Sequence, residues 1–246
     1  GDVTLSKTKL FVKTYKNEAR DNMSIFSEKF NSGAKANTIF KLSADQVFIE
    51  NSAITITDQN LITPLLFDLT NVRAAAVDFK IVGPDVFANI TSLGLSSKRG
   101  FEITGLSSQF SYTTQQMTLK NMELQTSQST LNGDLVMDYS ANGYSDFVNT
   151  VVFTASFTPS SIATNDLNGF YNEFGANQTI GFKGNFNGVL NDFSFTKAAI
   201  TTANTKVARD YYFKDVLKGT TAFTINFRRH DITTSYYDLR RFFPNI

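Results

Sequence analysis

Apolar and polar residues alternate along much of this chain, in short runs that small polar residues interrupt. In the stretch MTLKNMELQTSQSTLNGDLVMDY, residues 117–139, methionine and leucine carry the alternation, and its phase breaks at Lys120 and Asn121. A later run passes through Leu135 and Met137. A period of two residues is the signature of a β-strand with one dry face. We interpret each break as a point where the chain turns back to add another strand.

The same alternation recurs along the chain as far as residue 227 and predicts a sheet. Turn residues recur about every eight to twelve positions, as expected of an antiparallel meander. Alternating apolar residues of such strands share one face, which we expect to be the interior. The positions predicted for that face are Val47, Ile49, Ile54, Ile56, Phe79, Ile81, Ile90, Ile103, Leu119, Leu124, Leu135, Met137, Phe153, Phe182, Phe193, Phe195 and Ile225.

Helices are predicted to be few and short. The first is capped at residues 21–22 and ends at Gly33, the second is capped at residues 165–166 and ends at Gly175, and the third covers residues 236–243. None of them is long enough to organise a helical domain, so the sheet must organise the fold.

A weak internal repeat relates two of the predicted strand regions. QVFIENSAITIT, residues 46–57, matches QMTLKNMELQT, residues 116–126, with a single-residue gap. No fixed period of the kind that marks a solenoid or a propeller accompanies this match. We interpret it as a repeat of strand pairs rather than of whole modules.

Composition and charge narrow the class of protein to which this chain can belong. The 246 residues are enough to bury a sizeable core, and the formal net charge of +1 gives no reason to expect nucleic acid as a partner. Cysteine is absent, so neither disulfides nor thiolate metal sites can hold the fold together. No apolar run approaches the roughly 18 to 20 residues that cross a bilayer as a helix. We expect any targeting or anchoring element to lie outside this chain.

Catalytic chemistry finds little support in the sequence. His230 is the only histidine, and its neighbour Asp231 would point to the opposite face of a strand, so we interpret it as a surface histidine. Glycines 181, 184 and 188 miss the spacing of a dinucleotide-binding loop and are interpreted as turn and bulge positions. We therefore predict no enzyme, no catalytic residue, no cofactor and no metal site, with a hydrolase relying on His230 as a distant alternative.

Four segments together resemble a known family. They are VFANITSLGLSSKRGFEITGLSSQFSYTTQQMTLKNMELQTSQSTLNGDLVMDY at residues 86–139, TYKNEARDNMSIFSEKF at 14–30, FYNEFGANQTIGFKGNFNGVLNDFSF at 170–195, and TTSYYDLRRFFPNI at the end of the chain. Their order resembles the TamB (AsmA-like) proteins of the Bacteroidetes envelope.

This resemblance implies a mainly β fold, an elongated antiparallel curled sheet (a β-taco with an open groove) with a few short helices. Residues 1–246 would form one elongated segment of a longer periplasmic protein, with a subdivision near residues 140–150, anchored in the inner membrane by a segment absent here. The predicted interior positions would line a groove for phospholipid acyl chains. The partner would be an outer-membrane barrel of the TamA/BamA type, and the role would be phospholipid transport between the membranes, outer-membrane protein assembly, or both.

A closed β-sandwich is the alternative fold. Alternating strands with phenylalanine-rich inner faces also fill the core of an ordinary sandwich, which would act as an adhesion or ligand-binding module. A carbohydrate-binding version of this module is disfavoured, because sugar platforms usually expose tryptophan and tyrosine, and this chain has 24 Phe, 9 Tyr and no Trp.

Overall fold

The chain forms two compact units, Gly1–Thr114 (unit 1) and Gln115–Ile246 (unit 2). Residues 140–150 lie within unit 2. The computed structural model describes residues 1–26, 39–62, 65–98, 100–141, 143, 146–168, 174–203, 205–215, 224–227, 236 and 240–241, without the side chains of residues 65, 66 and 224–227.

Unit 1 is built on one sheet with the strand order β1-β3-β4-β5-β6. Strands β1 and β2 run parallel to β3 and follow one another along its edge, whereas the remaining neighbours in the unit are antiparallel. The strands are β1 (Asp2–Ser6), β2 (Lys9–Thr14), β3 (Lys41–Asp58), β4 (Leu65–Val82), β5 (Asp85–Ser97) and β6 (Glu102–Tyr112).

Unit 2 is an antiparallel meander in which each strand from β7 to β13 pairs with the next along the chain. Two short helices, α1 (Phe147–Thr150) and α2 (Thr164–Leu167), flank β9. The strands are β7 (Gln116–Thr126), β8 (Thr130–Asp138), β9 (Val152–Ala163), β10 (Thr179–Gly188), β11 (Phe193–Thr201), β12 (Lys206–Lys214) and β13 (Thr224–Phe227).

The predicted fold class is confirmed: the chain is mainly β, antiparallel and open, with few short helices. A closed sandwich needs two sheets packed face to face. In each unit the described strands instead belong to one sheet with a linear order, and its two end strands are not paired with each other.

The phase breaks at Asn51 and Asn121 are β-bulges, so the prediction that each break is a turn is wrong, although the break at residues 127–129 is a turn between β7 and β8. Strand β7 continues through Lys120 and Asn121, and β3 runs for 18 residues through Asn51. The register shifts at both places, and the two asparagines have φ of +50° and +48°. A bulge adds one residue to a strand without ending it. Strands β3 and β4 are therefore longer than the predicted spacing of turns allows.

The internal repeat coincides with these bulges. Asn51 and Asn121 hold the same place in the two matched segments, and both have a left-handed backbone conformation. Asparagine tolerates this conformation better than most residues because its short polar side chain bonds locally. The repeated feature is thus a strand with a bulge at one fixed position.

An aspartate on the neighbouring strand holds two of the bulges in unit 2. The Asn121 N–H donates to Asp134 Oδ1 at 2.7 Å, and the Lys197 N–H donates to Asp210 Oδ1, also at 2.7 Å. Lys197, like Asn121, has positive φ, at +49°. In both cases a carboxylate accepts a backbone N–H at the point where the register of the sheet shifts.

We expect Asp134→Ala to lower the free energy of unfolding by about 1 kcal/mol, because the Asn121 N–H loses its acceptor at an exposed site. Asp134→Asn keeps a side-chain oxygen and should retain most of the stability. Urea denaturation of the two variants and the parent measures the difference. Equal losses in Asn and Ala variants would show that the hydrogen bond does not stabilise the bulge.

The structure agrees with the predicted start of the first helix and differs from the prediction for the second. The first helix begins where expected, because residues 22–26 are helical and Asp21 Oδ1 accepts the N–H groups of Met23 at 2.8 Å and Ser24 at 2.9 Å. Its predicted end lies outside the described residues. Helix α2 begins at Thr164 with Ala163 as its N-cap, so the predicted cap at residues 165–166 is wrong.

Asp166 has a different role from the predicted cap. Its carboxylate accepts hydrogen bonds from the hydroxyl groups of Thr126 and Ser129, which tie α2 to the turn between β7 and β8. Helix α1 was not predicted. Residues 236, 240 and 241 of the third predicted helix are helical, and the rest of that prediction, like His230, lies outside the described residues.

Candidate apolar binding face

Two apolar rows cross unit 2 from β7 to β13. Directly opposed residues of paired strands lie on the same face, and so do residues two apart along one strand, so the register places both rows together. We call them the apolar face of unit 2. The first row is Met117, Met137, Phe153, Gly188, Phe193, Phe213 and Ile225; the second is Leu119, Leu135, Ala155, Phe186, Phe195, Tyr211 and Phe227.

The bulges extend this face beyond the two rows. An extra residue in β7 shifts the strand by one position, so Met122 and Leu124 lie on the same side as Leu119 despite the break in alternation. Met122 is buried and Leu124 half-buried, whereas the flanking Glu123 and Gln125 are exposed. Without the bulge the second half of β7 would present its apolar residues to the opposite side.

The opposite face of unit 2 is polar. The register runs across it from Thr118 through Val136 and Thr154, and the exposed Asp134 and Asp138 lie beside this row. Its other members are Asn187, Ser194, Tyr212 and Asn226. The two sides of the sheet therefore differ sharply in their affinity for water.

Aromatic rings give the apolar face a continuous surface on β9 to β12. Phe193 stacks on Phe186 and on Phe213, with ring centroids 4.4 and 4.5 Å apart. Phe182 meets Phe195 edge to face at 6.1 Å, and Phe157 at 5.3 Å. The edges of these rings are buried against one another, and the sides that point away from the sheet form the outer surface of the apolar face.

Most of the apolar face is only half-buried. Phe195 and Tyr211 are nearly enclosed, at 8% and 5% exposure, whereas Met137, Phe153 and Phe193 keep part of their surface accessible. All described strands of unit 2 lie in the sheet itself, so none of them forms a second layer over these side chains. Helix α1 reaches the edge of the face, where Phe147 packs on Phe153 at 5.7 Å.

Unit 1 carries a comparable set of apolar rows. Val47 lies between Val3 and Ala76, and Ile49 lies between Leu5 and Ala74. The edge of this surface is open, with Val3 40% exposed and Leu5 43% exposed. The other rows are Leu10–Ile54–Leu69, Val12–Ile56–Phe67, Leu42–Ile81–Val86, Ala76–Ile90, Ala44–Phe79 and Leu95–Ile103.

The predicted interior positions fall into two sets, one in each unit. Register joins Leu119, Leu135 and Phe195 in one row of unit 2, and joins Val47 to Ile90 through Ala76 in unit 1. Leu124 and Phe182 extend the face of unit 2 beyond its bulges. Ile225 lies opposite Phe213 in the backbone register of β13. The prediction omitted Met117, Met122, Phe157, Phe186, Tyr211 and Phe213, which belong to the same face.

One cationic side chain lies on the apolar face of unit 2. Arg209 is two residues from Val207 and from Tyr211 on β12 and lies opposite the buried Ala198 of β11. Its Nη1 donates to the Ala208 carbonyl at 2.9 Å, and its buried Nε has no hydrogen-bond partner in the part of the chain that the structure describes. Burial raises the pKa of the Tyr211 hydroxyl, and the positive charge of Arg209 opposes this rise.

Other kinds of site find no support in the described part of the chain. Within it, no group of three or more His, Asp or Glu side chains is arranged to hold a metal ion. No described helix has the length and apolar character needed to cross a membrane. A shallow depression in unit 1 lies between Phe48, Arg73 and Leu93, and the Arg73 guanidinium lies over Gly94 there.

The fold and the surface define a class: an open antiparallel β-sheet protein in which unit 2 carries an apolar face and unit 1 carries apolar rows. No family model matches the chain, and no curated protein or solved structure matches it either. The geometry and chemistry of the chain itself are therefore the evidence for its function.

Proposed function

We propose that this chain is a periplasmic segment of an envelope-spanning protein of the TamB (AsmA-like) type, and that its apolar faces hold phospholipid acyl chains in passage between the inner and outer membranes. Anchoring in the inner membrane, an outer-membrane barrel partner of the TamA/BamA type and a role in outer-membrane protein assembly belong to the same proposal. The observation that carries it is the apolar face of unit 2, which the backbone register continues across seven strands and which is mostly half-buried on β7 to β12.

The dimensions of this face suit an acyl chain. Neighbouring strands are about 4.8 Å apart, so a row across seven strands extends about 29 Å. The acyl chains of one leaflet span about 15 Å, half of the hydrocarbon thickness of a bilayer. A chain can therefore lie along a row with room to shift by several strands.

The energetics also favour an acyl chain as the occupant. Burying a chain of about sixteen methylenes completely gains on the order of 13 kcal/mol. An open face covers only one side of the chain, so roughly half of that gain is available before the cost of immobilisation. Binding of this strength is compatible with both capture and release.

The test uses Met137, which lies in the first row of the apolar face and is half-buried. We expect Met137→Asp to fold, with a loss of about 2 kcal/mol in unfolding free energy, because the new carboxylate can still reach water. Binding of a fluorescent phosphatidylcholine should fall at least about tenfold, since the charge interrupts the apolar path.

The matched control is Thr154→Asp, which places the same carboxylate on the exposed polar side of β9 next to Phe153. This variant should bind the lipid as the parent does. Native mass spectrometry of the parent should also show co-purified phospholipid. Absence of lipid from the parent in both assays, or undiminished binding by a well-folded Met137→Asp protein, would contradict the proposal.

A further inference from the structure

Among the described residues, the one hydrogen bond of the Arg209 side chain goes to the Ala208 carbonyl, and it does not explain why a cation lies on the apolar face of unit 2. Its neighbours on that face are Val207, Ala198 and Tyr211, and among the described residues no carboxylate forms an ion pair with it. The nearby acidic residue Asp210 belongs to the polar side and holds the bulge at Lys197. The guanidinium is always charged, so the apolar face contains a fixed positive charge.

The position of Arg209 destabilises the folded sheet when no ligand is bound. The Nε–H is out of contact with water and donates to no acceptor among the described residues, and an unsatisfied buried donor destabilises a fold. The side chain as a whole is half-buried, and its Nη1 donates one N–H to the Ala208 carbonyl, so the other N–H groups of Nη1 and Nη2 are the donors that a ligand would use. A guanidinium offers paired donors that match the oxygens of a phosphate or carboxylate.

We propose that Arg209 holds the phosphodiester of a phospholipid headgroup while the acyl chains lie along the rows on either side. The inference deepens the proposed function and rests on it, since it assigns the headgroup contact at the same face. The phosphodiester is common to phospholipids and absent from diacylglycerol. Unit 2 accordingly contains a defined binding site that retains a lipid by its anionic group. Positions along the apolar face are therefore not equivalent for a bound lipid.

The test compares a phosphatidylcholine with a diacylglycerol of identical acyl chains, each carrying the same fluorophore at the end of one chain. The full chain should bind the phosphatidylcholine on the order of tenfold more tightly, as expected for one charge-assisted contact. Arg209→Met keeps an unbranched apolar stem without the guanidinium and should bind both lipids equally, at the affinity of the parent for diacylglycerol. Arg209→Lys keeps the charge and should recover part of the preference.

The possible failures are distinct. If the parent binds both lipids with equal affinity, or if Arg209→Met keeps the parent's preference, the headgroup assignment is overturned and the proposed function stands. If the parent binds neither lipid, the proposed function fails and the assignment fails with it. A carboxylate source is tested by palmitate in the same assay: binding of palmitate with an Arg209 dependence greater than that of phosphatidylcholine would replace the phosphodiester as the partner.

Discussion

Gly133→Ala should prevent unit 2 from folding or lower its unfolding free energy by on the order of 4 kcal/mol. Gly133 has φ of +142°, a conformation open in practice only to glycine. A Cβ at this position would overlap the Ser156 carbonyl oxygen of β9, and its other close neighbours are also backbone atoms. Neither the added Cβ nor the backbone atoms of β9 can rotate out of this overlap. The strain in φ at residue 133 and the clash with the backbone therefore add together.

Gly143→Ala separates the two causes. Gly143 also has positive φ, at +60°, but nothing lies within 4 Å of the Cβ that would be added. This variant should lose only about 1 kcal/mol. Far-UV circular dichroism and urea denaturation of both variants provide the measurement. A Gly133→Ala protein as stable as Gly143→Ala would mean that β8 and β9 are farther apart than the structure shows.

Phe195→Ala should lower the unfolding free energy of unit 2 by about 3 kcal/mol. Phe195 is 8% exposed, touches Phe182 edge to face at 6.1 Å, and forms the buried cluster of the apolar face with Ala198 and Tyr211. Removal of the ring loses the buried apolar surface of Phe195 itself and also exposes the side chains that pack against it. The magnitude is below that of a sealed core because the face has no described strand above it.

Phe11→Ala is the control for deletion of a ring. Phe11 is 59% exposed, so this change should cost less than about 1 kcal/mol. Chemical denaturation monitored by tyrosine fluorescence compares the two variants. Equal small effects in both would indicate that the Phe195 cluster does not contribute to the stability of unit 2.

The sequence was informative about which residues form strands and less so about how each strand continues. Period-two alternation identified the regions of β3, β7 and β8. It could not distinguish a bulge from a turn, because both favour Asn, Asp and Gly and both can place a residue at positive φ. Asn51 and Asn121 were therefore interpreted as ends of strands, although each lies within one strand.

The same limit explains which residues of the apolar face were overlooked. In RDYYFK on β12 three aromatic residues are consecutive, so alternation alone does not show that Tyr211 and Phe213 share a side and Tyr212 takes the other. Arg209 was missed because charge in a strand usually marks the wet side. Register to β11, a long-range property of the sheet, is what assigns Arg209 to the apolar face.

The bulge at Asn121 determines which residues in the second half of β7 lie on the apolar face. A change of one residue in the length of the strand therefore reverses the orientation of every later side chain in it. Deletion of Asn121 would leave Met117 and Leu119 in place and turn Met122 and Leu124 outward, while Glu123 and Gln125 would move inward. A second deletion or insertion farther along the strand would restore the original orientation beyond it. Among descendants of such a sequence, changes in strand length should therefore be inherited in compensating pairs.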